Sequence, residues 1–296
     1  MKKENLARLL LSLSMIIFGT LGLFTRNIGV TSGELALYRA VLAAVLLVGY
    51  FVVTKQRIEF GKIKKERLLL LFSGMAMGVN WILLFEAYKY TTISAATLSY
   101  YFAPVIVTIA CPLLFREKLT LKQLLCFVIS TVGLALIIGF EGNGGSETHL
   151  LGILLGLGAA VFYAVVILLN KFIKNVEGIR RTFLQFIAAI CILLPYVLGT
   201  GGTHLAVLDT KGWWCLLVVG LVHTGITYCM YFSALKELKG QEIAILSYLD
   251  PLVAVIISVA VLGEKMTYLQ LIGGILVLGG TLWNELFGTN EKIKKK

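Results

Sequence analysis

Apolar residues run along this chain in ten blocks, over 9–26, 34–54, 68–88, 93–115, 121–140, 151–170, 181–199, 212–235, 241–262 and 268–287. Each is about 20 residues long, the length a helix needs to cross a hydrocarbon core of about 30 Å. The longest connection, at 56–67, is strongly basic, and 141–150 is a glycine-rich polar spacer. The pattern predicts an all-α integral membrane protein with ten transmembrane helices. The first block follows Met1, Lys2 and Lys3 and has the layout of a signal peptide. No small-x-small site ends it cleanly and nine apolar blocks follow, so it is expected to be the first helix.

Composition agrees with this pattern. The 296 residues are 58% hydrophobic and 15% charged, with mean hydropathy +0.89, which is too little polar surface for a soluble domain of this length. The net charge of +11 does not mark a nucleic-acid-binding protein, because the basic residues lie in short loops between apolar blocks. With the N-terminus in the cytoplasm, nearly all Lys and Arg of the connections fall inside. The outer connections then hold only Arg26, Lys89, Lys211 and Lys265. This bias predicts a multi-pass protein of the cell membrane with both termini cytoplasmic. The five cysteines (Cys111, Cys126, Cys191, Cys215 and Cys229) all lie in apolar blocks without paired spacing. They read as packing residues, and neither a disulfide framework, a metal site nor a cofactor is indicated.

An internal repeat divides the chain. Residues 74–140, moved forward by 147, align without a gap on the second half: Gly78 falls on Gly225, Phe85 on Phe232, Ala87 on Ala234, Tyr101 on Tyr248 and Pro104 on Pro251. Glu117-Lys118 falls on Glu264-Lys265, Thr120 on Thr267 and Gln123 on Gln270. The expected units are a first repeat at 1–140, an extracytoplasmic linker at 141–150, a second repeat at 151–287 and a basic cytoplasmic tail at 288–296. Each repeat holds five helices, an odd number, so the second enters the membrane inverted, with Glu117 inside and Glu264 outside. Inverted repeats of this kind build many secondary transporters.

Pro104 and Pro251 in mid-block are each followed by a glutamate thirteen residues on, then by a Thr and a Gln at matching spacing and, in the second half, by a glycine-rich last helix (Gly273, Gly274, Gly279, Gly280). As a set these features resemble the EamA-type carriers of the drug/metabolite transporter superfamily, over nearly the whole chain. The resemblance implies a ten-helix carrier with a substrate cavity between its halves. Asp250-Pro251 stands where that family often has Glu-Pro, and Arg39 matches an arginine often seen in its second helix. The first repeat departs, with Ala103 before Pro104 and Arg116 in place of a glycine, and the second has Gln185 near the place of the arginine.

An ionisable side chain at the centre of a membrane helix costs about 2.5–3.5 kcal/mol on insertion scales, so such residues are the first candidates for function. Asp250 lies on a stripe Ser247–Asp250–Ala254–Ser258 with helical spacing. It is the candidate for proton or cation coupling, against a structural reading in which it bonds a neighbouring helix. Pro251 should weaken the backbone ladder beside it. His223, near the centre of the eighth block, is suited to carrying a proton or to packing with a hydrogen bond. Arg39 offers a fork for a substrate carboxylate or phosphate, or an ion pair. Glu34 is five residues away and about 140° round the helix, so Glu86 is the better-placed partner, itself a candidate substrate ligand.

Trp81, Tyr100, Tyr101, Tyr228 and Tyr248 lie at similar depth and form either a cavity wall, with Trp81, Tyr101 and Tyr248 contacting substrate, or ordinary packing. Pro104, Pro251, Glu117 and Glu264 are expected to shape gates or helix ends. Gly152-x-x-x-Gly156 and the glycines of the last helix allow close contact within a monomer or across a homodimer face.

The function expected is secondary transport of a small metabolite, an amino acid or related compound, by alternating access and in the outward direction. Proton coupling and exchange are both compatible with the charges. Drugs or nucleotide sugars are alternative cargoes. An intramembrane enzyme would need catalytic groups clustered at one face, a channel would not show counterflow, and a sensor would usually carry a soluble domain. The partners implied are a small-molecule substrate and the lipid bilayer, with no nucleic acid.

Overall fold

A computed structural model describes residues 3–55, 60–115, 120–138, 147–176, 178–235, 237–238 and 240–287. Among the described residues, every apolar block of the sequence lies mainly on helix. The first block forms α1 (Lys3–Gly19) and α2 (Leu21–Thr25), the next two α3 (Ser32–Thr54) and α4 (Phe60–Tyr90). The fourth forms α5 (Ile93–Tyr100) and α6 (Ala103–Phe115), and the fifth α7 (Leu121–Ile138). The second half follows with α8 (Glu147–Phe172) and α9 (Gly178–Gly199). The eighth block is α10 (Thr210–Leu217), a π-helical segment (Val218–Ile226) and α11 (Thr227–Leu235). The ninth is α12 (Gly240–Ser247) and α13 (Leu249–Ile256), continued by a second π-helical segment (Ile257–Val261), and the last is α14 (Tyr268–Phe287).

Among the described residues, seven helical runs are long and apolar enough to cross a membrane, and three shorter apolar runs occupy Leu121–Ile137, Ile245–Val261 and Tyr268–Trp283. Large apolar side chains cover the outside of the bundle, for example Val45, Val48 and Val52 on α3 and Leu124, Val128 and Val132 on α7. Inside, small side chains such as Ala36, Ala40 and Ala43 of α3 are fully buried beside large ones such as Leu47 and Phe186. Lipid replaces water outside, so close helix approach rather than burial of bulk holds such a bundle together. Gly152 packs on Thr91 and Gly156 on Ala96 and Ser99. Gly133 of α7 and Gly273 of α14 meet backbone to backbone. These glycines serve contacts within the chain.

Packing partners exchange when the halves are exchanged. α1 packs on α11, α12 and α13, while α8 packs on α4, α5 and α6. α3 lies against the first π segment as α9 lies against α4. Two pairs join corresponding elements directly, α3 with α9 and α7 with α14, while α5 of the fourth block packs on α13 of the corresponding ninth block. The capping of the last helix of each half also repeats. Thr120 and Gln123 exchange side-chain and backbone hydrogen bonds before α7, as Thr267 and Gln270 do before α14. At one end of the bundle Arg8 pairs with Glu242, and at the other Arg26 pairs with Glu264. The first and ninth blocks therefore run side by side in the same direction.

Candidate functional site

Three helical runs break at one level. The break in the first block is at Thr20, that in the fourth at Tyr101–Phe102 and that in the ninth at Tyr248. The last two are counterparts at the 147-residue shift. At each the ladder tightens to a three-residue bond, Phe102 N–H to Ser99 C=O at 3.1 Å and Tyr248 N–H to Ile245 C=O at 3.3 Å. Pro104 and Pro251 sit just beyond, in the first turns of α6 and α13, rather than in mid-helix as the block pattern implied. A proline is tolerated in a first turn, where its missing N–H is not needed. It cannot return a bond to the residue four back, and this ends the preceding helix. Asp250 also lies in the first turn of α13, at the positive end of the helix dipole. Gly19 approaches its carbonyl so closely that a Cβ would lie 2.6 Å from it.

The breaks converge on a cavity of about 310 Å³ lined by Gly19, Tyr101, Tyr248, Arg39 and Asp250, among others. Arg39 is 3% exposed. Its Nε donates to Thr224 Oγ1 at 3.0 Å, and its guanidinium carbon lies 4.4 Å from the Trp81 ring centre and 5.2 Å from that of Phe85. Its Nη1 and Nη2 have no hydrogen-bond partner among the described residues. Asp250 accepts the Tyr101 hydroxyl on Oδ2 at 2.5 Å, and its other oxygen has no such partner. The two charges line the same cavity without pairing with each other. A desolvated charge left in this way stays available to an incoming group of opposite sign.

The five aromatics singled out in the sequence, Trp81, Tyr100, Tyr101, Tyr228 and Tyr248, all line this cavity. So do Ser247, Asp250 and Ala254 of the stripe; Ser258, one turn on, is buried elsewhere. Glu86 does not line it. The Arg39–Glu86 pair does not form: Glu86 accepts from Ser32 Oγ at 2.5 Å and pairs with Lys89 at 3.1 Å, because its place one turn from the end of α4 turns it to the rim. Glu34 closes a capping box with Thr31 at the start of α3 and also accepts from Tyr38 and His204. His223 is off the cavity and 1% exposed, with Nε2 2.8 Å from Thr20 Oγ1 and Nδ1 3.3 Å from the Val218 carbonyl.

Glu264 sits at one end of the site. It pairs with Arg26, accepts from the Ile93 N–H at 2.9 Å and from Ser258 Oγ. Arg26 also donates to the Thr91 carbonyl at 3.1 Å, and Ser258 bonds Ser94 at 3.1 Å. Gly263, in the left-handed region at φ +66°, turns the chain back so that Glu264 reaches this cluster. Glu117 lies outside the described residues. Tyr88 and Tyr163 also line the cavity, and neither they, Thr224 nor the break at Thr20 carries a signal in the sequence, whereas Pro104 and Pro251 mark the other two breaks.

A bundle of apolar helices with buried charges at a central cavity defines a multi-pass membrane protein. The chain belongs to the EamA-like transporter family, whose model matches residues 5–139 and again 150–285. It is 32% identical over 283 residues to the uncharacterized transporter YxxF of Bacillus subtilis, covering 94% of this chain and 89% of the relative. It is 24% identical to the solute carrier family 35 member G1 of Mus musculus, covering 91% and 75%. A probable amino-acid metabolite efflux pump of Salmonella typhimurium is 28% identical, covering 59% and 60%. A protein of known crystal structure superimposes with a TM-score of 0.66 at 15% identity, over 95% of this chain and 97% of that one; this likeness concerns the fold. The chain is thus a transporter of the drug/metabolite type, not an enzyme.

Proposed function

We propose that the protein is a secondary carrier of a small zwitterion, an amino acid or a close relative, which it exports across the cell membrane by alternating access. One observation carries the reading: Arg39 and Asp250 line one cavity and neither is neutralised by the other. The Arg39 fork receives the carboxylate, Asp250 receives the ammonium group, and the aromatic wall with Trp81, Tyr101 and Tyr248 takes the apolar part. A volume of about 310 Å³ lies at the small end of the roughly 300–1,000 Å³ of ligand pockets, which favours a metabolite of this size over a nucleotide sugar. A proton or cation bound in place of cargo sits on Asp250 rather than on His223, since both His223 nitrogens have protein partners away from the cavity. The efflux pump of Salmonella typhimurium supports the direction and class of cargo.

In this reading all ten blocks span the membrane as two inverted five-helix repeats, with both termini cytoplasmic. The parallel first and ninth blocks, the exchange of packing partners and the basic bias of the connections support it. Glu264 and Arg26 then close the outer mouth.

The test is thermal stabilisation of the purified full chain by an equimolar mixture of the common L-amino acids. Isopentylamine and phenylethylamine, which lack the carboxylate, and isovalerate, which lacks the ammonium, serve as controls. Stabilisation by the amino acids at concentrations where neither control acts is the expected result. Equal response to the amines, or no response to amino acids, overturns the zwitterion assignment.

A further inference from the structure

We infer that Thr224 is a positioning residue of the substrate-anion site, and that the π-helical segment carrying it holds the Arg39 fork toward the cavity. The inference rests on the reading of Arg39 as the carboxylate ligand.

A π-helical turn leaves carbonyls without their usual four-residue partner, and such turns recur at functional sites. Over Val218–Ile226 the backbone bonds run at a spacing of five, Thr227 N–H to the Val222 carbonyl among them, and side chains at the same spacing add a second donor. His223 Nδ1 lies 3.3 Å from the Val218 carbonyl, Thr224 Oγ1 donates to Val219 at 2.8 Å, and Thr227 Oγ1 donates to Val222 at 2.8 Å. The Thr224 hydroxyl proton is thus committed to Val219, which leaves the oxygen as an acceptor. That oxygen takes the Arg39 Nε–H at 3.0 Å. Thr224 is fully buried, and Gly220, one turn before it, lets α3 come close: a Cβ on Gly220 would meet the Leu42 side chain at 2.5 Å. With Nε fixed on one side and Trp81 stacked on the guanidinium, Nη1 and Nη2 are the only donors left, and they belong to a residue that lines the cavity.

The other half holds a long polar side chain at the comparable place, away from the cavity. Gln185 of α9 stands near the place of Arg39, and α9 lies on α4 as α3 lies on the π segment. Gln185 Nε2 donates to Ser73 Oγ at 2.5 Å and to Asn170 Oδ1 at 2.8 Å. It is buried, does not line the cavity, and serves as a strut between helices. The repeat therefore keeps a long polar side chain bonded to a hydroxyl of the facing helix. Only in the first half does the side chain keep a charge and two spare donors.

The experiment repeats the amino-acid titration with Thr224→Val, Thr224→Ser, Arg39→Gln and the double variant Arg39→Gln/Thr224→Val. Thr224→Val is expected to need about tenfold more amino-acid mixture for half-maximal stabilisation, equivalent to about 1.4 kcal/mol. Thr224→Ser keeps the hydroxyl and is expected within twofold of the unsubstituted chain. The double variant should match Arg39→Gln, because the hydroxyl acts only through the arginine. An unchanged Thr224→Val beside a weakened Arg39→Gln overturns the role of Thr224 and leaves the zwitterion reading standing. An Arg39→Gln variant as responsive as the unsubstituted chain overturns that reading itself. Equal loss in Thr224→Ser and Thr224→Val overturns the hydroxyl's role and leaves only packing.

Discussion

The Tyr101 hydroxyl donates to the Asp250 carboxylate at 2.5 Å, joining the break of the fourth apolar block to the break of the ninth. These breaks are counterparts in the two repeats, but the bond has no mirror image. The counterpart of Asp250 is Ala103, which has no carboxylate, and Tyr248, the counterpart of Tyr101, donates to Thr281 at 2.6 Å. The scaffold is duplicated and its chemistry is not. In the proposed cycle a cargo ammonium group replaces the Tyr101 hydroxyl on Asp250, which loosens one tie between the halves as the cargo binds.

Asp250→Asn keeps the size of the side chain and an acceptor for Tyr101 while removing the charge. It is expected to lower uptake of amino acids by at least tenfold and to abolish any proton-linked component, with an unfolding temperature close to that of the unsubstituted protein. Flux measured in proteoliposomes with and without a pH gradient checks this. Full activity with unchanged pH dependence removes Asp250 from the mechanism.

Glu86→Gln should leave amino-acid affinity within about twofold, because Glu86 is engaged by Ser32 and Lys89 at the rim, where exposed ion pairs contribute about 0–1 kcal/mol. A loss of tenfold or more in the same titration would return Glu86 to the binding site.

Arg26→Gln and Glu264→Gln each cut the cluster that ties the end of α2 to the start of α5 and to the second π segment. Both are expected to open the outer mouth. In cells, a cysteine at Ala254 on an otherwise cysteine-free background should then react several-fold faster with an impermeant thiol reagent. Slower or unchanged labelling in both variants contradicts a gate at this end.

Gly19→Ala places a methyl group 2.6 Å from the Asp250 carbonyl oxygen and from Val253 Cβ. Overpacking of this kind costs about 1–3 kcal/mol, so the unfolding temperature in detergent should fall. A variant as stable as the parent would mean that α1 and α13 are not held at this distance.

Much of this molecule is legible in its sequence. The ten blocks anticipate the helices because hydrophobicity over about 20 residues is a strong local signal. The stripe Ser247–Asp250–Ala254 and the five aromatics reach the cavity because depth along a helix follows from residue count. What the sequence hides depends on tertiary contact. The breaks at Thr20, Tyr101–Phe102 and Tyr248 and the two π segments lie inside continuous apolar runs, which hydrophobic periodicity does not divide. The partner of Arg39 is hidden for this reason. Position along the helix favoured Glu86, but the hydroxyl that meets Arg39 is on a π turn of another helix, from the other repeat. Ser258 left its stripe in the same way, drawn to Glu264 by the turn at Gly263.

The central claim is that one cavity binds a carboxylate at Arg39 and an ammonium group at Asp250 and carries both across. Counterflow tests it most directly: proteoliposomes of the purified chain are loaded with unlabelled L-amino acids and the uptake of labelled ones is followed. Saturable accumulation, strongly reduced in both Arg39→Gln and Asp250→Asn, is the predicted result. No accumulation of any amino acid, or accumulation that survives both substitutions, contradicts it.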